Sequence, residues 1–264
     1  MKILKFGGTS VGSIDSIKTL LNIVKQENGP EKPIVVLSAM SGVTNLLCSM
    51  SDDAAAGKPF NKQLEELQKQ HFDVIKTLMS VKHQNPVFTK LKLFFNELED
   101  LLQGVASLQE LTPKTRDLIL SYGERCATVM ISKIAEQHLP EALFVDATQL
   151  IKTDSHFGQA HPKTKLTELL IRGFYDANKD KLWFVTGFIA SNDDGKTTTL
   201  GRGGSDYTAA IFAAALHASE IQIWTDVNGM MTADPRIVKK AFSLPELSYT
   251  EAMELSYFGA KVIY

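Results

Sequence analysis

Short apolar runs alternate along the chain with longer stretches in which apolar residues recur every three or four positions. Lys2–Phe6 (KILKF) reads as a strand. Ile14, Ile17, Leu20, Leu21 and Val24 then mark one stripe of a helix that Asn28-Gly29-Pro30 stops. PIVVLSAM, residues 33–40, is rich in β-branched residues and reads as a buried strand. Further strands are expected at Leu143–Ala147, Leu182–Phe188 and Ile221–Val227, with helices over Thr115–His138, Lys163–Asn178 and Ser205–His217. This alternation predicts an α/β fold, an open and mostly parallel sheet sandwiched by helices. From about residue 58 to 110 the pattern changes: two long, charged, amphipathic stretches follow one another with no strand between them. They read as a helical hairpin inserted into the core, serving as a lid or an oligomer surface, or else as a solvated structural excursion.

A length of 264 residues suits one large α/β domain or two small ones. With 28 basic and 30 acidic residues the net charge is −2, which gives no field for nucleic acid or a membrane surface and points to a small-molecule ligand. Cys48 and Cys126 stand far apart and read as small buried apolar residues in a reducing compartment. His71, His83, His138, His156, His161 and His217 have no ligand spacing and read as surface or capping residues, so no dedicated metal cluster is expected. The first apolar run breaks too early for a signal peptide, and no later run reaches the roughly 20 residues of a membrane span. The expectation is a soluble, cytoplasmic protein.

The chemistry gathers where strands end. These ends read Lys5-Phe6-Gly7-Gly8-Thr9-Ser10, then Ser38-Ala39-Met40-Ser41-Gly42-Val43-Thr44, then Gly187-Phe188 followed by Gly201-Arg202-Gly203-Gly204-Ser205-Asp206. The last is Thr225-Asp226-Val227-Asn228-Gly229, followed by Asp234-Pro235-Arg236. In an open parallel sheet, ligands bind along that edge. Glycine turns ahead of helices expose backbone N–H groups, and the helix dipole favours anions there. Lys5 adds an ammonium, so the expected chemistry is phosphate binding with charge neutralisation. Two familiar motifs are excluded. The run ending Gly195-Lys196-Thr197 has Ala190 where a P-loop needs glycine, and Asn192-Asp193-Asp194-Gly195 reads as a hairpin turn. GRGGSD has Asp206 where the dinucleotide fingerprint needs its last glycine.

KFGGTSV (5–11), LSAMSGVTN (37–45), SYGER (121–125), TTTLGRGGSDYTAA (197–210), WTDVNGMMTADPR (224–236) and EAMELSYFGAKV (251–262) together resemble the aspartokinase family of the amino acid kinase superfamily. The resemblance runs in order along nearly the whole chain, and YTEAMELSYFGAKV is most similar to the kinase part of bifunctional aspartokinase–homoserine dehydrogenases. It implies one catalytic domain over 1–264. It also implies ATP-dependent phosphorylation of the L-aspartate side chain to 4-phospho-L-aspartate, with Mg²⁺ carried largely by the ATP phosphates. The family carries a C-terminal ACT regulatory region, and the bifunctional members a dehydrogenase domain. The end at Tyr264, just after a glycine and an apolar run, is read as the edge of a fragment lacking these. A homo-oligomer is expected of the full-length protein. Its partners are ATP and L-aspartate, with no nucleic acid and no membrane.

The same resemblance implies roles. Lys5 would bridge the β- and γ-phosphates, and Gly7, Gly8, Thr9 and Ser10 would cradle them. Ser38 and Thr44 would hold the acceptor or γ-phosphate, Thr44 having helix N-capping as its alternative. Arg202 suits a bidentate clamp on an acceptor carboxylate, beside Gly203, Gly204 and Ser205. Glu124 would receive the acceptor's ammonium, unless it is only a solvated helix charge. Asp206 would orient Lys5 or touch that ammonium. Phe188 lines the pocket or simply fills core. Thr225 and Asp226 would meet adenosine, with Asp234, Arg236 and Lys261 on the nucleotide. Met231 stands where relatives carry tyrosine and cannot donate a hydroxyl hydrogen bond. A carboxylate acceptor, with a pKa of about 3.9, is already ionised at neutral pH and needs no general base. The alternatives are a kinase of this fold with another small acceptor and a non-catalytic nucleotide or amino-acid sensor.

Overall fold

The computed structural model describes residues 1–227, 229–233 and 237–257, and divides into two units, Met1–Trp224 and Thr225–Tyr264. The first unit carries β1 (Lys2–Phe6), α1 (Ile14–Glu27), β2 (Ile34–Leu37), α2 (Val43–Ala55), α3 (Asn61–Leu78), α4 (Val81–Leu108) and α5 (Pro113–Glu136). It continues through β3 (Ala142–Val145), α6 (Thr164–Asn178), β4 (Leu182–Thr186), β5 (Ile189–Ser191), β6 (Thr197–Thr199), α7 (Gly204–Leu216) and β7 (Glu220–Trp224). Five strands form one parallel sheet in the order β3-β4-β2-β1-β7. The second unit holds α8 (Tyr249–Tyr257) and an isolated antiparallel bridge between Met231 and Ser243.

Side chains on a strand alternate between faces, and the two cores follow that alternation. Leu4, Phe6, Val35, Leu37, Leu182 and Phe184 point to one face and pack with α1 to α5. Ile3, Ile34, Val36, Trp183 and Val185 point to the other and pack with α6 and α7. The central strands β2 and β4 are buried along their whole length, as strands covered on both faces must be. The sheet therefore matches the sandwiched, parallel architecture that the sequence pattern predicts.

Element ends shift for local reasons. β4 stops at Thr186 rather than running to Phe188, because Gly187 turns the chain and Phe188 takes φ 66°, outside strand geometry. The turn expected at Asn192–Gly195 joins β5 and β6 as an antiparallel hairpin, with Lys196 N–H donating to Asn192 Oδ1. The segment read as an inserted hairpin is α3 and α4, and it is no solvated excursion. Leu64, Leu67, Val74 and Ile75 of α3 join Leu91, Phe95, Leu98 and Leu102 of α4 in the same core as α2 and α5. His71 corrects the surface assignment made for the histidines. It is fully buried on α3, with Nδ1 2.9 Å from the Leu67 carbonyl oxygen and its ring edge-on to Phe95. Burial disfavours its cation and pulls its pKa down to about 4.

Leu98 lies at zero exposure in this core. Leu98→Ala is expected to destabilise the chain by about 2–5 kcal/mol. Lys92→Ala, on the exposed side of α4, should cost less than about 0.5 kcal/mol. Denaturant unfolding of the two variants checks the assignment, and equal small losses would return α4 to the status of an excursion.

Candidate functional site

Hydrogen bonds continue across the sheet beyond the last strand residues. Gly7 N–H donates to the Trp224 carbonyl at 3.2 Å, Ser38 N–H to Phe6 at 3.2 Å and Gly187 N–H to Leu37 at 2.8 Å. Ser10 Oγ donates to the same Trp224 carbonyl. The turns after β1, β2 and β4 therefore leave from one rim, the C-terminal edge of the sheet. They also lie close together: a Cβ built on Gly8 would come within 3.3 Å of the Ala39 carbonyl oxygen.

Lys5 shares its strand face with Ile3 and so points toward α7. Its Nζ lies 2.6 Å from Oδ1 of Asp206, in the first turn of α7, and the two side chains are only 11% and 10% exposed. The contact is electrostatic, since Oδ1 makes no hydrogen bond of acceptable angle. Gly7 follows directly, and a Cβ there would sit 3.5 Å from Nζ.

The helix starts on this rim differ. The glycines behind β1 do not open α1. Gly8 caps a single 3₁₀ turn, Thr9–Val11, and α1 begins later with Ser13 and Ser16 bonding each other's backbone N–H groups. Thr44 does not cap α2 either. The cap is Gly42 at φ 80°, with no side-chain bond. α7 starts the same way, from Gly203 at φ 72°. The first turns of α2 and α7 thus present N–H groups that no side chain caps, the arrangement that suits an anion.

Glu124, from the middle of α5, reaches the rim from the other face of the sheet. It is 3% exposed, and its Oε1 accepts the Ala39 N–H at 3.1 Å while Oε2 has no hydrogen-bond partner. Burial raises its pKa to about 8, with the Ala39 bond pulling the other way. A solvated helix charge is excluded. Arg202 is exposed in the turn before α7, and Ser205 packs against Gly187 so closely that a Cβ there would lie 2.6 Å from its Oγ. Only glycine fits between β4 and α7. Phe188 is half-buried at the same turn, its N–H donating to Thr208 Oγ1 at 3.0 Å. Ser38 and Thr44 are half-buried on the second turn.

Thr225, Asp226 and Met231 belong to the second unit, where Thr225 Oγ1 donates to Asp226 Oδ1. Asp234, Arg236 and Lys261 lie outside the described residues. Among the described residues no three His, Cys, Asp or Glu side chains converge on a metal position, and no helix is long and apolar enough to cross a membrane.

The sequence pattern of the amino acid kinase family matches residues 1–264. The chain belongs to the amino acid kinase family. Within that family it is similar to lysine-sensitive aspartokinase 3 of Escherichia coli K12, with 36% identity over 99% of this chain and 57% of the relative. It is 32% identical to the bifunctional aspartokinase/homoserine dehydrogenase of Buchnera aphidicola, over 100% of this chain and 33% of that protein. The structure superposes with a TM-score of 0.90 on E. coli aspartokinase III crystallised with aspartate and ADP, at 33% identity, covering 100% of this chain and 57% of the other. The family chain thus spans between about a third and three-fifths of the length of these relatives.

Gly187, Thr208 and Asp117 hold the rim turns in place. Gly187 stood at a strand end and Thr208 inside the 197–210 motif, whereas Asp117 lies in no motif and offered no signal.

The Glu124 carboxyl keeps its proton in the folded chain up to about pH 8, whereas unfolded it titrates near 4.5. Between those values the unfolded state binds fewer protons, so folding stability falls as pH rises through the window. Unfolding free energies measured across that window should decline in the wild type. Glu124→Gln should flatten the decline, and an unchanged slope would mean that Glu124 is ionised in the folded chain.

Proposed function

We propose that this chain transfers the γ-phosphoryl group of ATP to the side-chain carboxylate of L-aspartate, giving 4-phospho-L-aspartate. The observation that carries this is the meeting, on one rim, of a buried lysine–aspartate contact, two helix starts without side-chain caps, and a buried carboxylate with a free oxygen. Similarity to aspartokinases along the whole chain points the same way. The enzyme is cytoplasmic on this reading and opens lysine, threonine and methionine biosynthesis.

Lys5 faces the β- and γ-phosphate oxygens and neutralises charge as it moves toward the leaving ADP. Asp206 holds the ammonium in place. The N–H groups around Gly7, Gly8, Thr9 and Ser10 line the phosphates, while Ser38 and Thr44 hold the γ-phosphate and acceptor. Arg202 grips the α-carboxylate beside Gly203, Gly204 and Ser205. Glu124 takes the α-ammonium, and Phe188 closes the pocket wall. A side-chain carboxylate oxygen attacks the γ-phosphorus in line. One phosphorus–oxygen bond forms as the bond to the β,γ-bridging oxygen breaks, and no proton changes hands. Positioning and charge stabilisation therefore do the work. Mg²⁺, held mainly by the ATP phosphates and water, would supply further charge neutralisation. For Thr225, Asp226 and Met231, as for Asp234, Arg236 and Lys261, a nucleotide role rests on motif resemblance alone.

ATP turnover in the intact protein should depend on L-aspartate, and Lys5→Ala should lower kcat at least about a thousandfold while the chain stays folded by circular dichroism. Undiminished turnover would refute the role of Lys5. Parallel assays with glutamate, acetylglutamate and a nucleoside monophosphate test the acceptor.

Glu124 adds a pH signature. Binding an ammonium requires its carboxylate form, and below about pH 8 the free enzyme holds the proton. The KM for aspartate should therefore rise as pH falls, by up to about tenfold per pH unit. Glu124→Gln should bind weakly at every pH. A KM in the wild type that ignores pH would remove Glu124 from ammonium recognition.

A further inference from the structure

Asp117 lies seven residues before Glu124 on α5 and is 1% exposed, yet nothing in the phosphoryl-transfer chemistry uses it. Its carboxylate accepts three hydrogen bonds from two distant segments. Thr199 donates from its N–H to Oδ2 and from its hydroxyl to Oδ1, both at 2.9 Å, and Gly158 N–H donates to Oδ2 at 2.9 Å. The two segments also hold each other. Ala160 N–H donates to the Thr199 carbonyl at 2.9 Å, and a Cβ on Gly201 would lie 3.1 Å from Cγ of Gln159.

Thr199 ends β6, and Arg202 follows three residues later. The threonine run of β6 is anchored on both faces. Thr198 Oγ1 pairs with Thr153 Oγ1 at 2.8 Å, and Arg125, also on α5, reaches Thr197 Oγ1 at 3.5 Å while bonded to Asp146 at 2.9 Å. Beyond β6, Leu200 N–H donates to the Phe188 carbonyl at 2.9 Å. The chain entering the 201–206 turn is therefore registered against α5 by side-chain bonds, with Asp117 the nearest to the turn.

We infer that Asp117 is a positioning residue for the acceptor: it fixes the Arg202 turn relative to Glu124, so that one helix sets the spacing between the group that binds a carboxylate and the group that binds an ammonium. This rests on the acceptor reading of Arg202 and Glu124 given above. Asp117 touches neither substrate. Residues 0 and +7 of a helix lie on the same face two turns apart, so α5 serves as a rigid reference for both anchors. Thr199 and Gly158 are 82 and 41 residues from Asp117 in sequence, so these bonds form only in the finished fold.

The test compares Thr199→Val, Thr199→Ser and Asp117→Asn in the intact protein. Thr199→Val keeps the side-chain shape and the N–H bond but removes the hydroxyl donor, so it survives even if Asp117→Asn fails to fold. It should raise the KM for aspartate about tenfold while the KM for ATP stays within about twofold, and Thr199→Ser should restore the wild-type value. Amide hydrogen exchange supplies a readout that needs no turnover. In Thr199→Val, exchange over 200–206 should accelerate about tenfold while α5 stays protected. A lowered unfolding midpoint with unchanged exchange in the turn, or both KM values rising together, would overturn the inference. Failure of the kinase reading itself would look different, as wild-type protein without aspartate-dependent turnover, and the exchange comparison would still decide whether Asp117 holds the turn.

Discussion

The contact between Lys5 and Asp206 joins the end of the central sheet to the start of α7, and the rest of the rim is arranged around it. Two nearly buried opposite charges cost desolvation that their attraction offsets only in good geometry. Here the geometry comes from the fold. Strand alternation turns Lys5 to the α7 face, and Gly203 in its left-handed conformation starts α7 where its first turn meets the strand end. Asp206 engages one side of an ammonium that carries three N–H groups, so donor capacity remains for another anion. A buried pair of this kind is a poor source of stability and a good way to hold a lysine at a fixed position on the rim.

The rim draws on both faces of the sheet. Lys5, Asp206 and the start of α7 come from the α6–α7 side, whereas Glu124 comes from the α1–α5 side and touches the backbone of the turn after β2. The central strands β2 and β4 are what bring the two sides together, because ladder bonds past Leu37 and Phe6 keep their turns in line. A net charge of −2 hides this concentration. Cation, carboxylate and amide dipoles are sorted by position within one edge, and composition is blind to such sorting.

Much of the fold was legible because its signals are local. The stripe Ile17, Leu20 and Val24 of α1 and the β-branched run of β2 each encode their element within a few residues. The glycine turns were legible as well, since open parallel sheets bind ligands at that edge. Features that depend on distant packing were not. The sequence around Glu124 permits a solvated helix charge, and only the approach of α5 to the second turn buries it. Gly123 makes that approach possible, since a Cβ there would lie 2.9 Å from Cβ of Ala39. His71 was misread for the same reason: its burial follows from α3 packing against α4, and its ring nitrogen bonds a carbonyl within its own helix. The helix behind Gly7 and Gly8 starts later than the motif suggests, because Ser13 and Ser16 form a capping box of their own.

Burial also sets the charge state of the carboxyl at position 124. A buried Glu124 with an empty Oε2 and a pKa near 8 is held mostly neutral at pH 7, so the free site avoids an isolated internal charge. On the role proposed for Glu124, an arriving ammonium would reverse the balance, since an opposite charge at close range favours the ionised form. The charge would then be created only when its partner is present, and an acceptor without an ammonium would not create it. On the proposed role, selectivity for an amino acid would follow from the ion pair that only an ammonium-bearing acceptor can form with this carboxyl, rather than from the shape of the pocket alone.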